Sequence, residues 1–214
     1  MEKVKLFKGK PIIFLDVDEF DDNTGVEFIS LVDMPATDIN FLMFEKAPMK
    51  FKVADKEKRM ITAPIMVADT PIFRYSDELG EYYTQFTTDA IERMMVKYMK
   101  NQNTDKVNIN HDPEQIVNDV FMVESWQKTS DQDKSVELGF DVPNGSWLGT
   151  FKVDNEQVWD EMIKTGDVVG FSLEGGFEQH FNSQILDLAK ALYAVVNSEE
   201  TDEIKLAELL NKLL

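Results

Sequence analysis

The chain holds two histidines, His111 and His180. His111 lies in Asn110-His111-Asp112-Pro113, at the end of the alternating run Val107-Asn108-Ile109. Pro113 restricts Asp112 to extended backbone and marks a turn. A serine, Ser172, sits in Gly170-Phe171-Ser172-Leu173-Glu174-Gly175-Gly176. A serine at a strand terminus can project its hydroxyl from the sheet edge. The side-chain-free backbone of Gly175 and Gly176 can bring N–H groups to a carbonyl oxygen, each such donor contributing on the order of 10²–10³ in rate. Serine needs a base to take its proton, and the base needs an orienting partner. The chemistry these residue types could support is acyl transfer, with Ser172 as nucleophile and His111 as base. On the residues alone, an incidental serine in a glycine-rich bend and a structural or merely exposed histidine are the better account.

The orienting group has three candidates. Glu124, in Met122-Val123-Glu124-Ser125-Trp126, stands beside His111 if its strand pairs antiparallel with the one before His111. Asp112 faces away from His111 on a strand, since adjacent side chains alternate. His180 is the third, and Glu124 is preferred. The serine is not in the Gly-x-Ser-x-Gly elbow of α/β-hydrolases.

Other chemistries lack their residues. No His-Glu-x-x-His occurs, and a His-Asp metal site needs more histidines than two. Asp16, Asp18, Asp21 and Asp22 lack the EF-hand spacing, so an acidic turn accounts for them better than calcium. No phosphate-cradling or dinucleotide glycine motif is present. The expectation is no cofactor and no metal.

The elements that must position these residues are mostly strands. Short apolar runs at 12–15 and 26–32 flank an acidic turn ending at Gly25. Strands are also predicted over 59–68, where Pro64 argues for an edge or bulge, and over 81–86. Residues 90–100 carry apolar positions at helical spacing, with Thr88 or Asp89 as N-cap. Strands at 107–111 and 117–126 follow. Pro143-Asn144-Gly145 predicts a hairpin between 136–142 and 147–153. A short helix over 156–164, capped by Asp154 and stopped by Gly166, precedes a strand over 167–171 that ends at Ser172. Beyond Ser183, two amphipathic segments at 185–196 and 204–214 predict a helical tail.

Of 214 residues, 43% are hydrophobic and 11% aromatic, enough for a packed core. Cysteine is absent, which excludes disulfides, thiolate zinc sites and a cysteine nucleophile, and fits a reducing compartment. The formal charge is −18, from 40 acidic and 22 basic side chains. Such a surface repels phosphate backbones and anionic lipid, so neither nucleic acid nor membrane is an expected partner. The N-terminal run has no signal-peptide h-region and no stretch reaches membrane-span length. A soluble, intracellular protein is expected.

The segment 59–181 resembles the prohead proteases of tailed phages, particularly the branch related to a defective-prophage serine protease of Gram-positive bacteria. The matching pieces run in order: RMITAPIMVADTPIFRY, EYYTQFT, DAIERMMVKYM, VNINHD, VFMVESW, GSWLGTFKV and TGDVVGFSLEGGF. The upstream ISLVDMPATDINFLMF extends the likeness to residues 26–181. The resemblance implies an α+β, mainly β fold: an antiparallel barrel flanked by helices, as in the herpesvirus assemblin proteases. It implies a protease domain over 1–182 with a helical appendage at 183–214. It carries the catalytic histidine onto His111 and the nucleophile onto Ser172; the third member varies and is a histidine in the herpesvirus branch. The implied function is a serine endopeptidase that processes phage scaffold and major capsid protein, and itself, inside the assembling prohead in the host cytoplasm, as a homo-oligomer or prohead-bound enzyme. The alternative is an inactive protease-fold scaffold or internal capsid protein.

Overall fold

A computed structural model describes residues 5–33, 50–77 and 79–180. The predicted tail helices and the domain boundary at 182/183 lie outside the described residues. In chain order the strands are β1 (Leu6–Phe7), β2 (Lys10–Asp16), β3 (Gly25–Val32), β4 (Lys52–Asp55), β5 (Met60–Met66), β6 (Ile72–Ser76) and β7 (Gly80–Phe86). Helix α1 (Thr88–Lys100) precedes β8 (Val107–Ile109), β9 (Asp112–Ile116) and β10 (Val120–Gln127). Helix α2 (Lys134–Glu137), β11 (Trp147–Val153), a π-helical segment at Val158–Ile163, β12 (Gly170–Gly176) and β13 (Glu178–His180) complete the order.

The described residues divide into two compact units, one from residues 5–15, 71–77, 79–85 and 179–180, the other from 16–33, 50–70 and 86–178. The smaller unit is built on a sheet in the order β1-β2-β7-β6, with β13 also paired to β2. Its core is aromatic: Tyr83 is buried, and Phe7 and Phe73 meet its ring edge-on at 5.0 and 5.8 Å.

The larger unit holds two four-stranded sheets, β10-β11-β5-β4 and β12-β3-β8-β9. The described strands thus form open sheets and no closed barrel. The fold is α+β and mainly β, as expected, but the expected barrel is replaced by three sheets. Nor is the pairing wholly antiparallel, because β3 runs parallel to β8. A parallel pair needs a long crossover, and everything from residue 33 to 106 intervenes. Phe171 of β12 packs on Phe151 of β11 at 4.8 Å between ring centres, joining the two sheets through the core. Burying a side chain of this size contributes about 1.5–3 kcal/mol.

Helix α1 follows its apolar spacing. Ala90, Ile91, Met94 and Tyr98 are buried, and Tyr98 meets Trp147 of β11 edge-on at 5.4 Å. Its cap is Thr87, whose hydroxyl accepts from the Ala90 N–H, one residue before the predicted cap. Lys97 is also buried. Its ammonium donates to the backbone oxygens of Asp18 and Asp21 at 2.6 Å each and fastens the acidic turn to the helix. Pro64 lies where the β5–β11 register shifts and beyond the reach of β4, the bulge its missing N–H demands.

The predicted hairpin at 143–145 does not form. Both edges of β11 are occupied, by β10 and β5, which leaves no place for a strand over 136–142. Asp133 instead caps α2 by accepting from the Ser135 N–H, and Gly139 ends it at φ +76°. The helix predicted over 156–164 is present, largely as the π-helical segment. Its N-terminus is held by the Asn155 carboxamide rather than Asp154, whose carboxylate pairs with Lys152.

Candidate active site

The sheet β12-β3-β8-β9 builds the site by register. Ser172 stands opposite Ser30 on antiparallel β3, and Ser30 stands beside Asn108 on parallel β8. Paired residues share a face, and so do residues two apart on one strand. Ser172, Glu174, Ser30 and Asn108 therefore lie on one face, while Phe171, Leu31 and Ile109 lie on the other, the face that meets Phe151. The predicted strand end at Ser172 is corrected. Strand β12 continues through Gly176, so Ser172 is inside it.

His111 is not on a strand. Asn110 and His111 both have left-handed backbone, φ +49° and +61°, between β8 and β9, whose ends pair at Ile109 and Asp112. Two consecutive positive φ values are what a two-residue type I′ hairpin requires, because its twist matches that of the flanking strands. Asn tolerates this well and His costs on the order of 1–2 kcal/mol. The turn is tied to β3: the Asn110 N–H donates to Leu31 O at 2.9 Å, and its side-chain oxygen accepts from the Asp33 N–H at 3.1 Å. Asp112 turns away, accepting from the Glu114 N–H and the Gln115 carboxamide. The carboxamide and backbone donors hold its carboxyl below the ordinary range.

The turn brings the imidazole onto the polar face. His111 Nδ1 lies 3.1 Å from Glu174 Oε1 and 3.1 Å from Ser30 Oγ. The same Oε1 accepts from the Ser30 hydroxyl and from Asn108 Nδ2, both at 2.6 Å. Burial works to raise the Glu174 pKa, but the donors Ser30, Asn108 and His111 outweigh it and hold the carboxyl below its usual value. Ser172 is 7% exposed and Ser30 and Asn108 are sealed, whereas 41% of the His111 side chain is exposed. No hydrogen bond joins the Ser172 hydroxyl to another described side chain.

Two expected positions are corrected. Strand β10 pairs with β11, not with the strand before His111, so Glu124 does not stand beside the imidazole. Glu124 instead accepts from Thr150 Oγ1 at 2.7 Å and pairs with Lys134 at 2.9 Å. The carboxylate at His111 is Glu174, and its signal was available: it is two residues from Ser172 on a strand and so shares its face. Gly175 and Gly176 lie in the β12–β3 ladder, three and four residues from Ser172. Three residues of extended chain span roughly 10 Å, too far for the Gly175 N–H to donate to the oxygen of a carbonyl held at the Ser172 hydroxyl. A Cβ on Gly175 would sit 1.9 Å from Gly25 O, and one on Gly176 2.3 Å from Asn23 O, so close strand approach requires both glycines. His180, the third candidate, ends β13, and its side chain lies outside what the structure describes.

No group of three or more His, Asp or Glu side chains able to hold a metal occurs among the described residues. No helix there is long and apolar enough to cross a membrane.

Ser172 and the His111–Glu174 pair thus share one sheet face of a mainly β, α+β fold. Residues 49–180, more than half of the chain, match the family described as "Putative phage serine protease XkdF", and the chain belongs to that family. His111, Asn108, Ser172 and Glu174 fall inside the matched span; Ser30 falls outside it. No curated protein and no solved structure matches the chain.

Proposed function

We propose that the chain is a serine endopeptidase of phage capsid maturation, with Ser172 as nucleophile, His111 as general base and Glu174 as the orienting carboxylate. The observation that carries this reading is the 3.1 Å approach of His111 Nδ1 to Glu174 Oε1 on the sheet face that bears Ser172. Membership of a phage serine protease family supports the reaction class. The Ser172 hydroxyl attacks the peptide carbonyl carbon, and the imidazole takes its proton and passes it to the leaving amine. Water then hydrolyses the acyl-enzyme by the same route reversed. The carboxylate stabilises the imidazolium formed at each step.

The substrates under this reading are phage scaffold and major capsid protein, and the chain itself, within the assembling prohead in the host cytoplasm. The relation to assemblin proteases belongs to the same proposal. One observation favours an inactive scaffold instead: the hydrogen bonds of His111 go to Ser30 and Glu174 rather than to Ser172. A fluorophosphonate probe separates the two. Labelling mapped to Ser172, with loss of processing when Ser172→Ala is co-expressed with the adjacent capsid and scaffold proteins, supports the protease. Unlabelled protein at high concentration together with unchanged processing would sink it.

A further inference from the structure

We propose that Ser30 is a positioning residue that, with Asn108, clamps Glu174 and fixes the proton of His111 on Nδ1, leaving Nε2 as the basic atom. The inference rests on the protease reading for its purpose, but not for its geometry. Ser30 is completely buried, so it cannot meet substrate. Its hydroxyl has one proton. At 2.6 Å from Glu174 Oε1 that proton is committed to the carboxylate, the separation of a charge-assisted O–H···O⁻ bond. Ser30 Oγ can then only accept from the imidazole nitrogen 3.1 Å away. Glu174 Oε1 also only accepts at that nitrogen. Two acceptors on one nitrogen require that it carry the hydrogen, so the neutral ring is the Nδ1–H tautomer.

Asn108 completes the clamp. Facing a carboxylate, its carboxamide must present Nδ2, which it does at 2.6 Å. This leaves Asn108 Oδ1 buried with no partner. An orphaned buried acceptor is costly, and the amide keeps this orientation because reversing it would set two acceptors together. Ser30 lies outside the span matched to the family, so its role comes from the register of β3 with β12 and β8.

The test uses the full chain labelled with ¹⁵N-histidine. There are two histidines, and His180→Gln assigns the spectrum. At a pH where the ring is neutral, His111 is expected as the Nδ1–H tautomer in the wild type. Ser30→Ala is expected to raise the Nε2–H fraction at least fivefold, and Ser30→Ala with Asn108→Ala further. Ser30→Thr, which keeps the hydroxyl, restores the wild-type ratio. Fluorophosphonate labelling of Ser172 is expected to slow at least tenfold in Ser30→Ala. A wild-type ring in the Nε2–H form, or a ratio unmoved by both variants, overturns the proposal. If the tautomer behaves as stated while Ser172 never labels, the protease reading fails and the clamp stands.

Discussion

Ser172 and Ser30 face each other across the β12–β3 ladder as Cα partners, yet only Ser172 has surface and only Ser30 touches the imidazole. Two hydroxyls on one sheet face thus have different chemistry open to them. Under the proposed protease reading Ser172 is the nucleophile, and Ser172→Ala is expected to lower probe acylation and processing by about 10³-fold or more. Its thermal midpoint is expected to stay near wild type, because the hydroxyl bonds no described side chain. Tryptic mapping of the adduct checks the assignment; an adduct on any other serine would refute it.

The two glutamates read as partners of catalysis are expected to separate cleanly. Glu174→Gln keeps the volume but removes the charge beside His111, and activity is expected to fall on the order of 10²–10⁴-fold. Glu124→Gln removes an exposed pairing with Lys134 and keeps an acceptor for Thr150. It is expected to leave activity within about twofold and to cost under about 1 kcal/mol. Parallel rate and urea-denaturation measurements on both variants decide; equal losses of activity would remove Glu174 from its role.

That contrast also marks where the sequence was readable. Helix α1, strand β5 with its bulge at Pro64 and the helical stretch near 158 follow from local spacing and capping, which act over a few residues. The pairing of β3 with both β12 and β8 does not, because it joins residues 30, 108 and 172 through contacts that no local pattern encodes. The Asn144-Gly145 turn signal was real, since Gly145 has φ +89°, but tertiary pairing overrode the hairpin once β11 had a partner on each edge. Ser172 and His111 were legible as residue types in ordered blocks. The left-handed backbone that swings His111 over Glu174 was not.

The depressed carboxyl of Glu174 predicts an acid limb in stability. Its folded pKa is lower than its ordinary 4.5, so the unfolded chain binds protons more readily. The contribution is then complete above about pH 4.5 and is lost as pH falls through the folded value. Urea midpoints measured from pH 6 downward are expected to drop more steeply for the wild type than for Glu174→Gln. Superimposable curves would mean that the Ser30 and Asn108 bonds contribute nothing to folding.

Strand β12 tolerates no side chain at Gly175. The added Cβ of Gly175→Ala meets Gly25 O at 1.9 Å and Val26 Cα at 3.0 Å, all backbone that cannot swing aside. Relief requires β12 to part from β3, which moves Ser172 away from Ser30. The expected cost is about 3 kcal/mol, with a loss of probe labelling. Gly166→Ala is the control: it has φ +83° but open space around it, so it pays only the left-handed backbone cost, about 1 kcal/mol. Similar midpoints for the two variants would show that close packing of the strands is not what the glycine serves.

Lys97 supplies the last test, of how the acidic turn before β3 is held. Its ammonium is buried and reaches Asp18 O and Asp21 O at 2.6 Å and Thr24 Oγ1 at 3.3 Å, while its methylenes lie against Gly25. Lys97→Met keeps the stem and strips three donors from oxygens that face the helix. Hydrogen bonds from a charged group contribute about 1.5–3 kcal/mol, and partial rehydration of the turn limits the loss, so about 2–3 kcal/mol is expected. Lys100→Met, exposed in the same last turn of α1, loses only its interaction with the helix dipole, under about 1 kcal/mol. Because β3 begins at Gly25 and carries Ser30 five residues later, a loosened turn is also expected to increase hydrogen exchange along β3. If both lysine variants unfold at the same urea concentration, the ammonium is not the fastening and the apolar side of α1 alone holds the turn.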